Sequence, residues 1–170
     1  MTATQRREKI YAQLLTAAAP VSATALARQF GVSRQIIVGD IALLRAGGCN
    51  ITATPRGYVI VASGGITVQL AVCHSAAETR DELYAMVDCG CLVQDVIVEH
   101  PVYGQLTAPL QLASRYDVDQ FIRSMTSSDA RPLSALTEGI HLHTLSCPSD
   151  DALAHLKEKL RQMGVLLEQD

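Results

Sequence analysis

The fold of the N-terminal region is decided by residues 21–48, VSATALARQFGVSRQIIVGDIALLRAGG. Ser22 is suited to cap a helix, and Gly31 is suited to end it in the left-handed conformation. Ser33 can cap a second helix, which Gly47 and Gly48 end. The apolar residues recur at helical spacing and form the predicted buried side: Ala25, Leu26, Phe30, Ile37, Ile41 and Leu44. The pattern predicts two helices joined by a tight turn, as in a helix-turn-helix.

The segments on either side complete a larger unit. Residues 5–19 carry apolar side chains at helical spacing, and Pro20 ends that run. The stretch ITATPRGYVI, residues 51–60, has two short strand-forming segments, the second continuing to Val61, around a turn at Pro55-Arg56-Gly57. Three short helices followed by a hairpin predict a winged helix-turn-helix.

The distribution of charge indicates which part of the chain meets a polyanion. Residues 1–62 have a net charge of +5, whereas residues 63–170 have a net charge of −8 and contain all five histidines. A basic head on an acidic body is typical of a protein whose head alone binds nucleic acid. The alternative is a small helical domain whose charges are only solvated.

The candidate DNA-binding residues lie at the start of the second helix of the pair and in the wing. Ser33 offers a hydroxyl to a phosphate, Arg34 a guanidinium to guanine and Gln35 an amide to adenine. Arg56 at the wing tip is placed to touch the backbone or the minor groove, and Arg45 is a further candidate contact. These five residues are predicted to bind double-stranded DNA.

This segment resembles the bacterial winged-helix family found in biotin-operon repressors and related regulators. The resemblance rests on residues 21–48 and on the wing at residues 51–60. Gly39 departs from the pattern, since such regulators more often have an arginine or a polar residue at this outward position. The glycine removes a possible phosphate contact.

The rest of the chain alternates strands and helices. Strands are predicted at 67–73, 92–98, 105–112 and 140–146, and helices at 79–89, 117–127 (capped by Asp117) and 149–163, with 165–167 as a possible closing strand. Ser63-Gly64-Gly65 is the evident linker. The chain is therefore predicted to be α+β: a winged helix-turn-helix in residues 1–62 and, in residues 66–170, an α/β sandwich with helices on one face of a single sheet.

Four residues of this second part form a candidate metal site. His141 and His143 flank Leu142 on a predicted strand, so their side chains share one face. His74 ends an earlier strand, and Glu82 lies in the following helix. Such a set suits Zn²⁺, Ni²⁺ or Fe²⁺. Taken singly, each histidine also fits a hydrogen-bonded structural role, and Glu82 a solvated carboxylate; His100 is a further candidate at a strand end.

Length and composition limit the cellular locations that are expected for the protein. The chain has 170 residues, of which 48% are hydrophobic, and no stretch combines the length and apolarity of a membrane span. The N-terminus shows no secretory signal, so a cytoplasmic protein is expected. The five cysteines include no Cys-x-x-Cys pair and are expected to be reduced thiols.

Three ordered motifs resemble the 3H domain, which is named for its histidines. They are His74 with Glu82, VEHPVYG at 98–104 and PLSALTEGIHLHTL at 132–145. Behind a winged helix, this arrangement is similar to the niacin-responsive transcriptional repressors of NAD synthesis. The resemblance implies nicotinic acid as co-repressor and a homodimer on a palindromic operator. It also implies one divalent metal per chain, Ni, Zn or Fe, on His74, Glu82, His141 and His143, and a ligand pocket near His100, Tyr103 and Thr137.

Three other kinds of protein share part of this pattern. A small metal-dependent hydrolase could use the same cluster on bound water, but no separate acid or base is evident. A bifunctional biotin-ligase repressor is excluded by the chain's size and by the lack of a Gly/Arg-rich adenylate loop. An interaction module with a purely structural metal would show no ligand-dependent DNA binding.

Overall fold

The computed structural model describes residues 1–60 and 65–168. The chain divides into two compact units, residues 1–63 and 64–170. The predicted linker residues Ser63 and Gly64, and Val61 of the second wing strand, lie outside the described residues. Within the described ranges, no helix is long and apolar enough to cross a membrane.

The N-terminal unit has the predicted order of three helices and a hairpin. Its elements are α1 (Ala3–Thr16), α2 (Ala23–Phe30), α3 (Arg34–Ala46), β1 (Thr52–Thr54) and β2 (Gly57–Val59). The predicted caps are confirmed: Ser22 accepts a hydrogen bond from the N–H of Ala25, Ser33 accepts one from Ile36, and Gly31 ends α2 at φ 65°. This unit is a winged helix-turn-helix.

The wing is held against the segment that precedes α2. Val21 and Tyr58 exchange two backbone hydrogen bonds of 2.9 Å. Gly57 has φ 136°, and a Cβ at this position would lie 2.5 Å from the Val21 carbonyl. Only glycine permits both the conformation and the close approach. The position of the hairpin relative to α2 therefore depends on Gly57.

A buried ion pair fixes α3 against α1. Asp40 is 4% exposed, and its carboxylate receives two bonds from Arg6, at 2.6 Å from Nε and 3.3 Å from Nη2. Arg7 adds a longer contact of 3.5 Å. Bidentate arginine–carboxylate pairs define orientation as well as distance. Arg6 thus positions the helix that is predicted to enter the major groove.

The C-terminal unit is a four-stranded antiparallel sheet with three helices. Its strands are β3 (Ile66–Cys73), β4 (Leu92–His100), β5 (Gly104–Leu112) and β6 (Ile140–Cys147), and its α-helices are α4 (Thr79–Asp88), α5 (Arg115–Ser127) and α6 (Asp150–Gln162). The strand order is β3-β6-β4-β5. One helix start differs from the prediction: α5 is capped by Ser114, while Asp117 accepts hydrogen bonds from the N–H groups of Ala113 and Ser114. The α+β fold class is confirmed.

Alternation along the strands decides which side chains face the helices. Leu70 and Val72 of β3 lie opposite His143 and His141 of β6, so all four point to the same face. The core on this face combines residues of the sheet and of the three helices, including Val93, Leu145, Leu83, Met86, Val118, Leu156 and Leu160. The predicted closing strand at 165–167 is reduced to one bridge, between Leu166 and Val72 at the edge of the sheet.

The cysteines correct one expectation. Cys91 and Cys147 form a disulfide, whereas Cys49, Cys73 and Cys89 are free. The register of β4 and β6 brings the two chain segments side by side, with the Cα atoms 4.3 Å apart. The pairing depends on this register between two segments that are 56 residues apart, which the sequence alone does not show.

Candidate metal centre and nucleic-acid interface

The four predicted metal ligands meet beneath α4. His74 directly follows β3, Glu82 lies on α4, and His141 and His143 lie on the helix-facing side of β6. All are buried, with exposed fractions of 7% for His74, 0% for Glu82, 4% for His141 and 2% for His143. The fold therefore brings together residues that are up to 69 positions apart in the sequence.

Each histidine directs its Nε2 atom at the same carboxylate. His74 Nε2 is 2.5 Å from Glu82 Oε2, and His141 and His143 Nε2 are each 3.3 Å from Oε1. Three imidazoles around one carboxylate offer an N₃O donor set, of which His74, Glu82 and His141 have ligand atoms that all lie within 4.8 Å of one another. Such a set is typical of sites for borderline transition metals.

Each histidine directs its other ring nitrogen at a backbone carbonyl. The Nδ1 atoms of His74, His141 and His143 lie 2.7, 2.9 and 2.6 Å from carbonyl oxygens. A carbonyl only accepts hydrogen bonds, so each Nδ1 carries the proton and donates it. In the neutral ring the lone pair is then on Nε2, the atom that points at Glu82. Metal-binding histidines are commonly oriented in this way.

In this cluster one buried carboxylate, that of Glu82, is surrounded by three imidazole rings. Burial alone would raise the pKa of Glu82, but the charge of His143 and the close approach of all three imidazoles hold it well below its usual value. Burial opposes the charged form of His74 and His143, yet Glu82 raises the pKa of both rings. Glu82 Oε1 and His143 Nε2 are buried and have no hydrogen-bond partner among the described residues. A cation between these atoms would satisfy both, so the residues present fit a divalent metal.

Two residues that the sequence did not single out position the ligands. Gly139 has φ 95°, its carbonyl accepts from His141 Nδ1, and a Cβ on it would lie 2.4 Å from the His74 carbonyl oxygen. Asp95 lies where β4 bulges; its carbonyl accepts from His143, and its side chain accepts from the N–H of Thr144. A glycine two residues before a His-x-His pair is the only signal that could have been noticed.

A cavity of about 430 Å³ opens beside His74. Its lining includes the end of β3 and the segment before β6, namely Cys73, His74, Ser75, Ala76, Ser134, Ala135, Glu138 and Gly139. Thr137 lies in this segment, a 3₁₀ turn at Leu133–Thr137, and its hydroxyl donates to the carbonyls of Ser134 and Ile140. Thr137 itself is not among the lining residues; its hydroxyl holds the turn that carries the lining residues Ser134 and Ala135.

The other two predicted ligand-binding residues lie in the β4–β5 turn. His100 Nδ1 accepts from the N–H groups of Val102 and Tyr103, and the rings of His100 and Tyr103 are 5.0 Å apart. Tyr103 is 75% exposed. Neither residue lines the cavity beside His74. The hydrogen bonds of the His100 ring and its contact with the Tyr103 ring lie within the β4–β5 turn.

The predicted DNA-binding residues are available at the surface. Ser33, Arg34 and Gln35 are exposed at the start of α3, and Arg45 is exposed in its last turn. Arg56 is half-buried in the wing turn. The start of α3 presents side chains of the types that bind phosphates and base edges.

Comparison with known proteins identifies both units. Residues 6–59 match the family model of an HTH domain, and residues 67–169 match that of the 3H domain. The probable transcription repressor NiaR of Thermotoga maritima is 41% identical over 151 residues, which cover 88% of this chain and 86% of that protein. The transcription repressor NadR of Bacillus subtilis is 39% identical over 167 residues, 95% of this chain and 93% of that protein. Both relatives are repressors, which decides against the hydrolase, and the chain belongs to the 3H-domain family of transcription repressors.

Proposed function

We propose that this repressor senses nicotinic acid and controls genes of NAD synthesis and niacin uptake. In this proposal a homodimer acts in the cytoplasm on a palindromic operator, and nicotinic acid is the co-repressor. The 3H domain holds one divalent ion, Ni, Zn or Fe, on His74, Glu82, His141 and His143. The observation that carries the proposal is the convergence of three buried imidazole Nε2 atoms on Glu82.

The charges of the cluster support a resident cation. Without one, the buried carboxylate is balanced only if imidazoles become protonated against the cost of burial. With a divalent ion, all three rings remain neutral and every Nε2 lone pair has a partner. The three Nδ1–carbonyl bonds already set the tautomer that this requires. A bound ion supplies a Lewis-acidic position for a carboxylate or a pyridine nitrogen.

The cavity beside His74 supports a small ligand at this position. At about 430 Å³ it is at the lower end of the range for small-molecule sites, which suits a single substituted ring. Its described lining contains no arginine or lysine and one carboxylate, that of Glu138. A ligand carboxylate is therefore expected to face the cation of the cluster and to avoid Glu138.

The N-terminal unit supports operator binding by two chains. Each chain contributes one helix-turn-helix, and two such units bind half-sites about one DNA turn apart, 34–36 Å. Ser33, Arg34 and Gln35 would contact bases and phosphates, with Arg45 and Arg56 on the backbone. Ligand binding must favour the DNA-competent arrangement, and couplings of this kind are typically 1–3 kcal/mol.

Calorimetric titration of nicotinic acid into metal-loaded and chelated full-length protein tests the proposal. We expect binding to the loaded protein, none after chelation, and none to His141→Ala. His155→Ala is the matched control, since His155 is an exposed histidine of α6. Binding that survives both chelation and His141→Ala would refute the metal-assisted site. Absence of binding to any sample would refute nicotinic acid as the effector.

A further inference from the structure

The outward surface of α3 carries apolar side chains that its own domain does not cover. Ile36 is 43% exposed and Leu43 is 58% exposed. They are seven residues apart and therefore lie on the same side of the helix. The buried side of α3 is formed by Ile37, Asp40 and Ile41. Ile36 and Leu43 thus form an apolar edge on the surface of a DNA-binding unit.

Gly39 lies on the same outward surface and has no structural purpose within its own unit. It is helical, and a Cβ at this position would meet no atom within 4 Å. Glycine weakens a helix interior relative to alanine, so neither packing nor backbone conformation accounts for it. Its remaining effect is to let another molecule approach the backbone of α3 closely.

The two edges of this surface differ in chemistry. Arg34 and Arg45 are eleven residues apart, which again places them on one side of the helix, and Ile36 and Leu43 lie across Gly39 from them. Arginines suit phosphates and guanine. An isoleucine side chain forms neither a hydrogen bond nor an ion pair with a phosphate. The one apolar group that the major groove displays is the C5-methyl of thymine.

We infer that Ile36 is a base-reading residue that packs on a thymine methyl of the operator half-site. Ile36 is the better placed of the two apolar residues, because it is the third residue of α3 and the first turn of a recognition helix enters the groove. Gly39, one turn further, allows the backbone to come close enough for this contact. The inference rests on the operator binding proposed above.

The experiment removes single methyl groups from the DNA. Duplexes selected from a random library by the full-length protein, with nicotinic acid and divalent metal present or absent, define the half-site. Each thymine is then replaced by deoxyuridine, and Kd is measured by fluorescence anisotropy. One position per half-site is expected to weaken binding about fourfold, the value for one buried methyl group.

The protein variants assign that effect to one side chain. Ile36→Ala should bind the thymine duplex more weakly and lose the preference for thymine at that position, whereas Ile36→Val should keep part of it. Leu15→Ala, which truncates a leucine of α1 that is 57% exposed, should keep the full preference. Thermal unfolding checks that each variant is folded.

Different results would overturn the role of Ile36 and the proposed operator binding. A selected duplex whose affinity is indifferent to every deoxyuridine overturns the inference alone, as does a thymine preference that Ile36→Ala retains or that only Leu43→Ala removes. Failure of the wild-type protein to select any sequence under any of these conditions overturns operator binding, and the inference with it.

Discussion

Replacing Gly139 by alanine should reduce both the stability of the 3H domain and its affinity for metal. At φ 95° the residue lies beyond the left-handed well, where a side chain costs about 1–2 kcal/mol or more. The new Cβ would also lie 2.4 Å from the His74 carbonyl oxygen. With both effects, the free energy of unfolding should fall by about 2–4 kcal/mol.

The effect on metal follows from the same contact. The backbone must move by roughly 0.6 Å to bring this distance to a tolerable 3.0 Å, and His74 and the Gly139 carbonyl that orients His141 move with it. Metal–ligand distances tolerate only about 0.2 Å. Changes in groups that orient ligands typically weaken metal binding about 10- to 100-fold. We therefore expect at least a tenfold loss of affinity.

Guanidinium chloride denaturation of chelated protein and calorimetric titration of Ni²⁺ give the two quantities. Gly164→Ala controls for backbone strain, since its φ is 73° and a Cβ there meets nothing within 4 Å. Gly65→Ala controls for a clash elsewhere, because its Cβ would lie 2.4 Å from the Cys147 carbonyl. A Gly139→Ala protein that keeps wild-type metal affinity would refute the positioning role.

Three further predictions concern the two units separately. Asp40→Asn removes the buried charge that pairs with Arg6 and should lower the free energy of unfolding of the N-terminal unit by about 2–3 kcal/mol in calorimetry. Despite burial, Glu82 raises the pKa of His74 and His143. In chelated protein, protonation of these two rings therefore stabilises the fold below about pH 6.5. This contribution is lost as pH rises through the raised pKa values. Metal requires neutral rings, so the gain in Tm on metal binding should increase from about pH 5.5 to pH 8. Gly39→Ala should stabilise α3 by about 0.5–1 kcal/mol in thermal unfolding while weakening operator binding in anisotropy.

Each of these has a control or a contrary result. Glu8→Gln, at an exposed carboxylate of α1, should leave stability unchanged beside Asp40→Asn. A metal-induced gain in Tm that is constant with pH would show that proton release does not accompany binding. Wild-type DNA affinity in Gly39→Ala would show that α3 does not approach the operator closely at this residue.

Local features of the fold were predictable because they depend on neighbouring residues. The helix caps at Ser22, Gly31 and Ser33 depend on hydrogen bonds to residues three or four positions away. The structure places all three caps as predicted. The incorrectly predicted cap of α5 also involves residues close together in the sequence. Ser114 and Asp117 form a reciprocal capping box, so either residue could be mistaken for the cap in the sequence.

Long-range features were less accessible. Alternation along a strand predicted that His141 and His143 share a face, but their meeting with Glu82 was indicated only by chemistry and by the 3H resemblance. The carbonyl acceptors that orient the rings have no sequence signature, because every residue carries a carbonyl. The same holds for the Cys91–Cys147 pair, which depends on the register between β4 and β6.

The central place of β6 has a consequence for biosynthesis. This strand is the last of the four to be made, yet it pairs with both β3 and β4, so the sheet cannot assemble until residue 147 has been synthesised. The N-terminal unit needs only the first 63 residues. At about 5–20 residues per second, the ribosome takes roughly 4–17 s to add the intervening segment. During that interval a nascent chain carries a complete helix-turn-helix unit without a folded 3H domain.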